Sequence, residues 1–369
     1  MNWNHTPIEQ KIEFNFKHPD LLFLALSHPS YAKEFGDPEA NNERLAFLGE
    51  VVYKLTLTHY LYYNCPYLPV DKYKGLLQKL IGGEQLTKTW FRLGLGESYP
   101  FLALKEDRAV LRQKRNNPFG SAFLALVGAM HCDRGFAQAR NWLIKRAISP
   151  LLASRLQSIS ERVEPITQVK FLGNVLLGAI ATDIIYSSLP GVEVKNLNSF
   201  YRELTGKTRV TEYKKHSQDL GNDSGKGFKE FLGEKYLEGN EANNRTAFNQ
   251  MRDWFQQEFV NEEDFLRNAI AQLLKAGKPQ KWIVRTVLGY ASKDYDAGRD
   301  RFHELMDEKG TSKSKEKTVN NEDEIIKSED EIVKSEMDEK GTGKSKEKTV
   351  NNEDAIVKSE DEIVKNEEE

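Results

Sequence analysis

The sequence predicts an all-α protein, and three observations carry that prediction. Leu48, Val51, Val52 and Leu55 recur at the spacing of a helix with one buried face, between a break at Pro38 and Asn41-Asn42 and another at Cys65-Pro66. Residues 9–33 carry helical spacing as well, with Leu21, Leu22, Leu24, Ala25 and Leu26 clustered before Ser27-His28-Pro29-Ser30-Tyr31. In residues 262–304, Phe265, Ile270, Leu273 and Leu274 are matched by Trp282, Ile283, Val287 and Leu288 across a Gly277-Lys278-Pro279 turn, which predicts a helical hairpin.

The helix that opens at Glu43, with Asn42 as its expected cap, runs to about Tyr63 and puts Glu43, Ala46 and Glu50 on one side. A further helix is expected over residues 71–87. Gly94, Gly96 and Pro100 then mark a loop, and Arg112, Lys114 and Arg115 read most simply as a solvated face.

Length and composition set the outer limits. A chain of 369 residues with 39% apolar and 30% charged side chains has room for two domains plus an unfolded part. The formal charge of -3 is split: residues 306–369 hold 21 acidic and 12 basic side chains, against 35 and 41 in residues 1–305. The folded part is therefore mildly basic, which is compatible with RNA without being diagnostic of it. Residues 306–336 and 337–367 are the same 31-residue unit with four substitutions. The unit lacks aromatic residues and has few apolar ones, so a disordered acidic tail is expected. Cys65 and Cys132 have no metal-ligand spacing and predict reduced thiols in the cytoplasm. His28, His59, His131 and His216 show no zinc spacing and read as core or surface histidines. No basic leader and no run approaching a membrane span is apparent, so no membrane partner is expected.

The chain also repeats itself. Phe171-Leu172-Gly173-Asn174-Val175 echoes Phe47-Leu48-Gly49-Glu50-Val51 at an offset of 124, which also pairs Thr58 with Thr182, Tyr62 with Tyr186, Val70 with Val194 and Gly82 with Gly206. A repeat at domain scale is the simplest account. With the offset changed to 105, residues 226–239 overlay the stretch from Ser121 to Arg134.

Glu43-Arg44-Leu45-Ala46-Phe47-Leu48-Gly49-Glu50 resembles the signature helix of the ribonuclease III family, roughly Glu-Arg-Leu-Glu-Phe-Leu-Gly-Asp. The stretch from Gly120 to Asp133 resembles that family's second signature through Ala122-Phe123, Ala125-Leu126, Gly128-Ala129 and Asp133, and His28 to Tyr31 resembles its HxSY loop. The resemblance implies a ribonuclease III-like helical domain over residues 1–150, a linker over 151–164 and a second, degenerate copy over 165–260, then the hairpin (262–304) and the acidic repeats (306–369). A double-stranded-RNA-binding domain is the competing reading of 165–260. It would need a first helix over Asn198–Gly206, strands within Glu212–Leu237 and a last helix over Asn243–Trp254.

The family's chemistry, as the resemblance implies it, is Mg²⁺-dependent cleavage of double-stranded RNA with four carboxylates holding the metal. Here those positions read Ala46, Glu50, Ser121 and Leu124, and in the second copy Lys170, Asn174, Lys226 and Lys229. No metal is expected, and Mg²⁺ would enter only if Glu43 and Glu50 sustained catalysis. Glu43 reads rather as a structural residue paired with Arg44 or another cation. Lys170, Lys226 and Lys229 could meet phosphate directly, or could be solvated lysines at a dead site. The leading expectation is an RNA-binding pseudonuclease acting in RNA processing or ribonucleoprotein assembly. Its partner would be structured or double-stranded RNA, with an internal pseudo-dimer or a homodimer as the working pair. An active endoribonuclease and a protein scaffold are the alternatives.

Overall fold

In a computed structural model of the chain, the residues described are 3–65, 68–104, 118–152, 165–222, 225–241 and 246–307. The basic run at 112–115, residues 153–164 of the expected linker and residues 308–369 of the acidic repeats lie outside them. Among the described residues every extended element is a helix, and the sole β pairing is an isolated bridge between Ser27 and Phe101.

Where one helical stretch over 9–33 is expected, there are three short helices: α1 (Thr6–Ile12), α2 (Pro19–Leu26) and α3 (Pro29–Glu34). Pro19 and Pro29 each sit at a helix start, where the missing N–H has no partner to lose. Glu13, in the left-handed region at φ 53°, ends α1. The buried carboxylate of Asp133 holds the break before α2, accepting the backbone N–H groups of Lys17 (2.8 Å) and His18 (2.9 Å).

The long helix α4 (Glu43–Asn64) buries Leu45, Leu48, Val52 and Leu55 at helical spacing. Its expected cap is displaced by one residue. Asn42 turns inward and donates to the Ala25 carbonyl, while the side chain of Asn41 accepts the Glu43 N–H at 2.9 Å. Residues 71–87 are likewise split, into α5 (Val70–Ile81) and α6 (Gly83–Arg92), because Gly82 takes an extended ψ of 140° between them. Then come α7 (Pro118–Arg134) and α8 (Phe136–Leu143), the latter continuing through a π turn at Ile144–Ile148 to Leu152.

Two glycines decide how α4 meets α7. A Cβ on Gly49 would lie 1.8 Å from the Leu124 carbonyl oxygen, and one on Gly128 would lie 2.1 Å from that of Leu45. The two backbones touch, so any side chain there would force the helices apart.

Within 165–259 the described elements are helices: α9 (Pro165–Ser188), α10 (Val194–Thr205), α11 (Lys207–Asp219), α12 (Phe228–Glu241) and α13 (Ala247–Phe259). The strands that an RNA-binding domain would need within Glu212–Leu237 are absent from the described residues, since 212–219 complete α11 and 228–237 begin α12. A Cβ on Gly173 would lie 1.7 Å from the Lys229 carbonyl oxygen, and one on Gly233 2.3 Å from that of Val169. The crossing of α9 and α12 thus repeats that of α4 and α7, at offsets of 124 and 105 residues. Gln168–Ser188 is long and apolar enough to cross a membrane, contrary to expectation. About two-thirds of it is buried in the protein, where it packs on α4 and α12 as a core helix.

The chain ends its described part in α14 (Glu262–Lys275), α15 (Gln280–Thr286) and α16 (Tyr295–Asp307). The turn falls where expected, with Gly277 at φ 80°. A third helix extends the hairpin and takes in Met306 and Asp307, which the sequence assigned to the tail. Phe265, Ile270 and Leu273 of α14 share a second core with Phe200 and Leu204 of α10.

Candidate functional site

The α4–α7 crossing opens onto a cleft of about 580 Å³. Glu43, Ala46, Glu50 and Lys54 line it from one face of α4, and Ser121 and Leu124 from α7. The spacing of three and four residues along both helices aims these side chains into the same space. The far wall comes from the other half of the chain, through Thr182 of α9 and Val194, Asn198 and Tyr201 of α10. His28 and Asn42 close one end.

The cleft is not strongly acidic. Lys54, one turn beyond Glu50, donates to the Glu50 carboxylate and forms an ion pair with it. Ala46 and Leu124 present hydrocarbon, and Ser121 presents a neutral hydroxyl. Glu43 is exposed, and Arg44, one of the cations expected to pair with it, is bonded elsewhere. The Arg44 guanidinium instead donates to the carbonyls of Val192 and Tyr186 and lies 4.8 Å from the Tyr186 ring centroid. His28 caps α3, its Nδ1 accepting the Ser30 N–H at 3.2 Å. Among the described residues no three His, Cys, Asp or Glu side chains converge where a metal could be held. The donor set at this cleft does not fit Mg²⁺, which calls for several hard oxygen ligands in near-octahedral array.

The lysines of the second crossing divide. Lys229 is half-buried, and burial together with the neighbouring Lys170 charge pulls its pKa below that of an ordinary lysine. Lys226 is spent on Glu234, whose two carboxylate oxygens accept at 2.8 and 3.0 Å. The expected trio is therefore a pair plus a neutralised third member.

Two other histidines face the interior. His59 is half-buried, its enclosed Nε2 meets no hydrogen-bond partner, and desolvation followed by the Arg140 charge pushes its pKa down to about 4. His131 donates from Nε2 to Asp183 at 2.7 Å. Burial works to raise the Asp183 pKa, but the bonds from His131 and Arg252 prevail and hold it below the usual carboxylate value. Lys54 was open to detection, because a lysine four residues after a glutamate on a helix is a standing ion-pair signal. Asn198 and Tyr201 were not, since only tertiary folding brings α10 over the cleft.

A family model described as ribonuclease-III-like matches residues 18–151. Over 164 residues the chain is 32% identical to ribonuclease 3 of Chlamydia trachomatis serovar L2, an alignment covering 42% of this chain and 70% of that protein. The chain belongs to the ribonuclease III family. Ribonuclease 3 of Syntrophotalea carbinolica is 32% identical over 156 residues, covering 42% of this chain and 64% of its own. The solved nuclease domain of ribonuclease III from Campylobacter jejuni aligns with 40% of this chain and 97% of its own at 28% identity, with a TM-score of 0.36. The ribonuclease III match spans α2 to the end of the α8 segment, and so includes both helices that cross at the cleft.

Proposed function

We propose that this chain is an RNA-binding pseudonuclease: a ribonuclease III family member that holds structured or double-stranded RNA without cutting it. The carrying observation is the state of the cleft. Of the four positions where the family pattern has carboxylates, only Glu50 retains one, and Lys54 neutralises it. A two-metal hydrolysis has no anchor there.

Residues 165–260 are read as a second, degenerate copy that pairs with the first inside one chain. Contacts between the halves support this by coming in reciprocal sets. Arg44 donates to the Val192 carbonyl, and Gln168, 124 residues on, donates to the Leu68 carbonyl at 2.9 Å, Leu68 being the counterpart of Val192. His131 bonds Asp183, and their counterparts Tyr236 and His59 meet ring to ring at 5.8 Å. Phe136 and Phe248, which open the similar runs Phe136-Ala137-Gln138-Ala139-Arg140-Asn141-Trp142 and Phe248-Asn249-Gln250-Met251-Arg252-Asp253-Trp254, stack on each other at 4.5 Å. A self-complementary surface of this kind is the mark of two-fold pairing. In this reading A-form RNA is held by shape, phosphate and 2′-hydroxyl contacts, with Lys170 and Lys229 offering cations to phosphate.

Two measurements test the proposal. Titration of a long RNA duplex across a KCl series should give affinity that falls steeply with salt. Incubation of the same duplex with Mg²⁺ or Mn²⁺ should leave it intact. Cleavage abolished by Glu50→Ala would establish an active endoribonuclease instead, and salt-independent or absent RNA binding would leave a protein scaffold.

A further inference from the structure

We propose that the outer face of α5 is a docking groove for an amphipathic helix of another protein, one that brings carboxylates to the groove's lysines. The inference rests on the two halves being copies. Helices α5 and α10 are each twelve residues long, lie 124 residues apart and end at Gly82 and Gly206. Their outer faces have different fates.

On α10 that face is covered by this chain's own helix α14. Phe200 is 2% exposed and faces Phe265, with ring centroids 6.4 Å apart. Beside it the Gln272 amide donates to Glu203 at 2.8 Å and accepts from the Ser199 hydroxyl at 2.9 Å. A seated amphipathic helix is therefore what this face takes.

On α5 the same positions form an open groove of about 410 Å³, with Leu68, Gly75 and Leu76 as its floor. Leu76, the counterpart of Phe200, is half-buried, and no heavy atom lies within 4 Å of where a Cβ on Gly75 would stand. No described helix seats here as α14 does on α10. The rim charges have moved: Lys79 replaces Glu203 and Lys72 replaces Asn196, while Asp71 replaces Lys195, so the cations now stand where α10 meets α14. Where α14 offers an amide to a glutamate, the helix that fits here must offer a carboxylate to a lysine. The docking mode is the common one of an apolar stripe laid in a groove with charges matched at its edge.

The probe is a fluorescein-labelled peptide with the sequence of Glu262–Lys275 carrying N268E and Q272E, titrated with the full-length chain by fluorescence anisotropy. Saturable binding is expected, at least fivefold tighter than that of the unaltered peptide, and weakened at least tenfold by Leu76→Asp. Lys79→Glu, an exposed change that spares the fold, should reverse the preference between the two peptides. Absence of saturable binding, indifference to Leu76→Asp, or an unchanged preference in Lys79→Glu would overturn the proposal. So would a concentration-dependent dimer that Leu76→Asp dissolves, since a second copy would then be the occupant, or loss of duplex-RNA binding in Lys79→Glu, which would make the groove an RNA surface. Duplex-RNA binding retained while the peptide fails would sink the groove and leave the RNA reading standing.

Discussion

Lys54 lies one helical turn after Glu50, and its ammonium is bonded to the Glu50 carboxylate inside the cleft. The one acid left at the four family positions is thus supplied with a cation from its own helix.

Rebuilding a metal site therefore takes more than restoring acids. A variant carrying Ala46→Glu, Ser121→Asp and Leu124→Glu should bind Mn²⁺ at least tenfold more weakly than the same variant with Lys54→Met added, because the ammonium competes for Glu50. Isothermal titration calorimetry reads the difference, with thermal melts confirming that the chain still folds with a carboxylate at the buried Leu124 position.

The glycine crossings give a sharp contrast in stability. Gly49→Ala and Gly173→Ala each drive a methyl into a carbonyl oxygen less than 2 Å away, and should each cost about 3 kcal/mol or more by urea denaturation. Gly75→Ala meets open space in the middle of α5 and should instead add up to about 1 kcal/mol.

Acid should loosen the pairing of the halves. His59 has a pKa of about 4 in the folded chain against 6.5 as its ordinary value, so folding favours the neutral ring. The stabilisation is complete above pH 6.5 and is lost as pH falls towards 4, because the unfolded chain takes up the proton first. The window corresponds to about 3 kcal/mol. Denaturation midpoints measured at pH 7 and pH 4.5 should diverge in the native chain and converge in His59→Gln.

Arg44→Ala should be more damaging than a surface arginine deletion. It removes two hydrogen bonds to carbonyls of the other half and a ring contact with Tyr186, a loss of about 3 kcal/mol. Arg44→Lys should recover little, since an ammonium cannot fork between the Val192 and Tyr186 carbonyls while lying on the ring. Thermal melts of the two variants check the ranking.

The sequence by itself determined the all-helical class and the two signatures. Apolar spacing marks a buried helix face wherever it occurs, and Gly49, Gly128, Gly173 and Gly233 recur in step because only glycine lets two helix backbones touch. The same local reading places Ala46, Ser121 and Leu124 where the resemblance to the family implies carboxylates. It failed where neighbours distant in sequence decide. Asn42 turns away from its helix to reach Ala25, Arg44 passes over Glu43 to reach Val192, and Lys226 is drawn to Glu234. Only the tertiary structure laid α10 across the cleft and made Asn198 and Tyr201 part of its lining. It alone covered the outer face of α10 and left that of α5 open, because that outcome depends on where α14 comes to rest, and no local pattern encodes it.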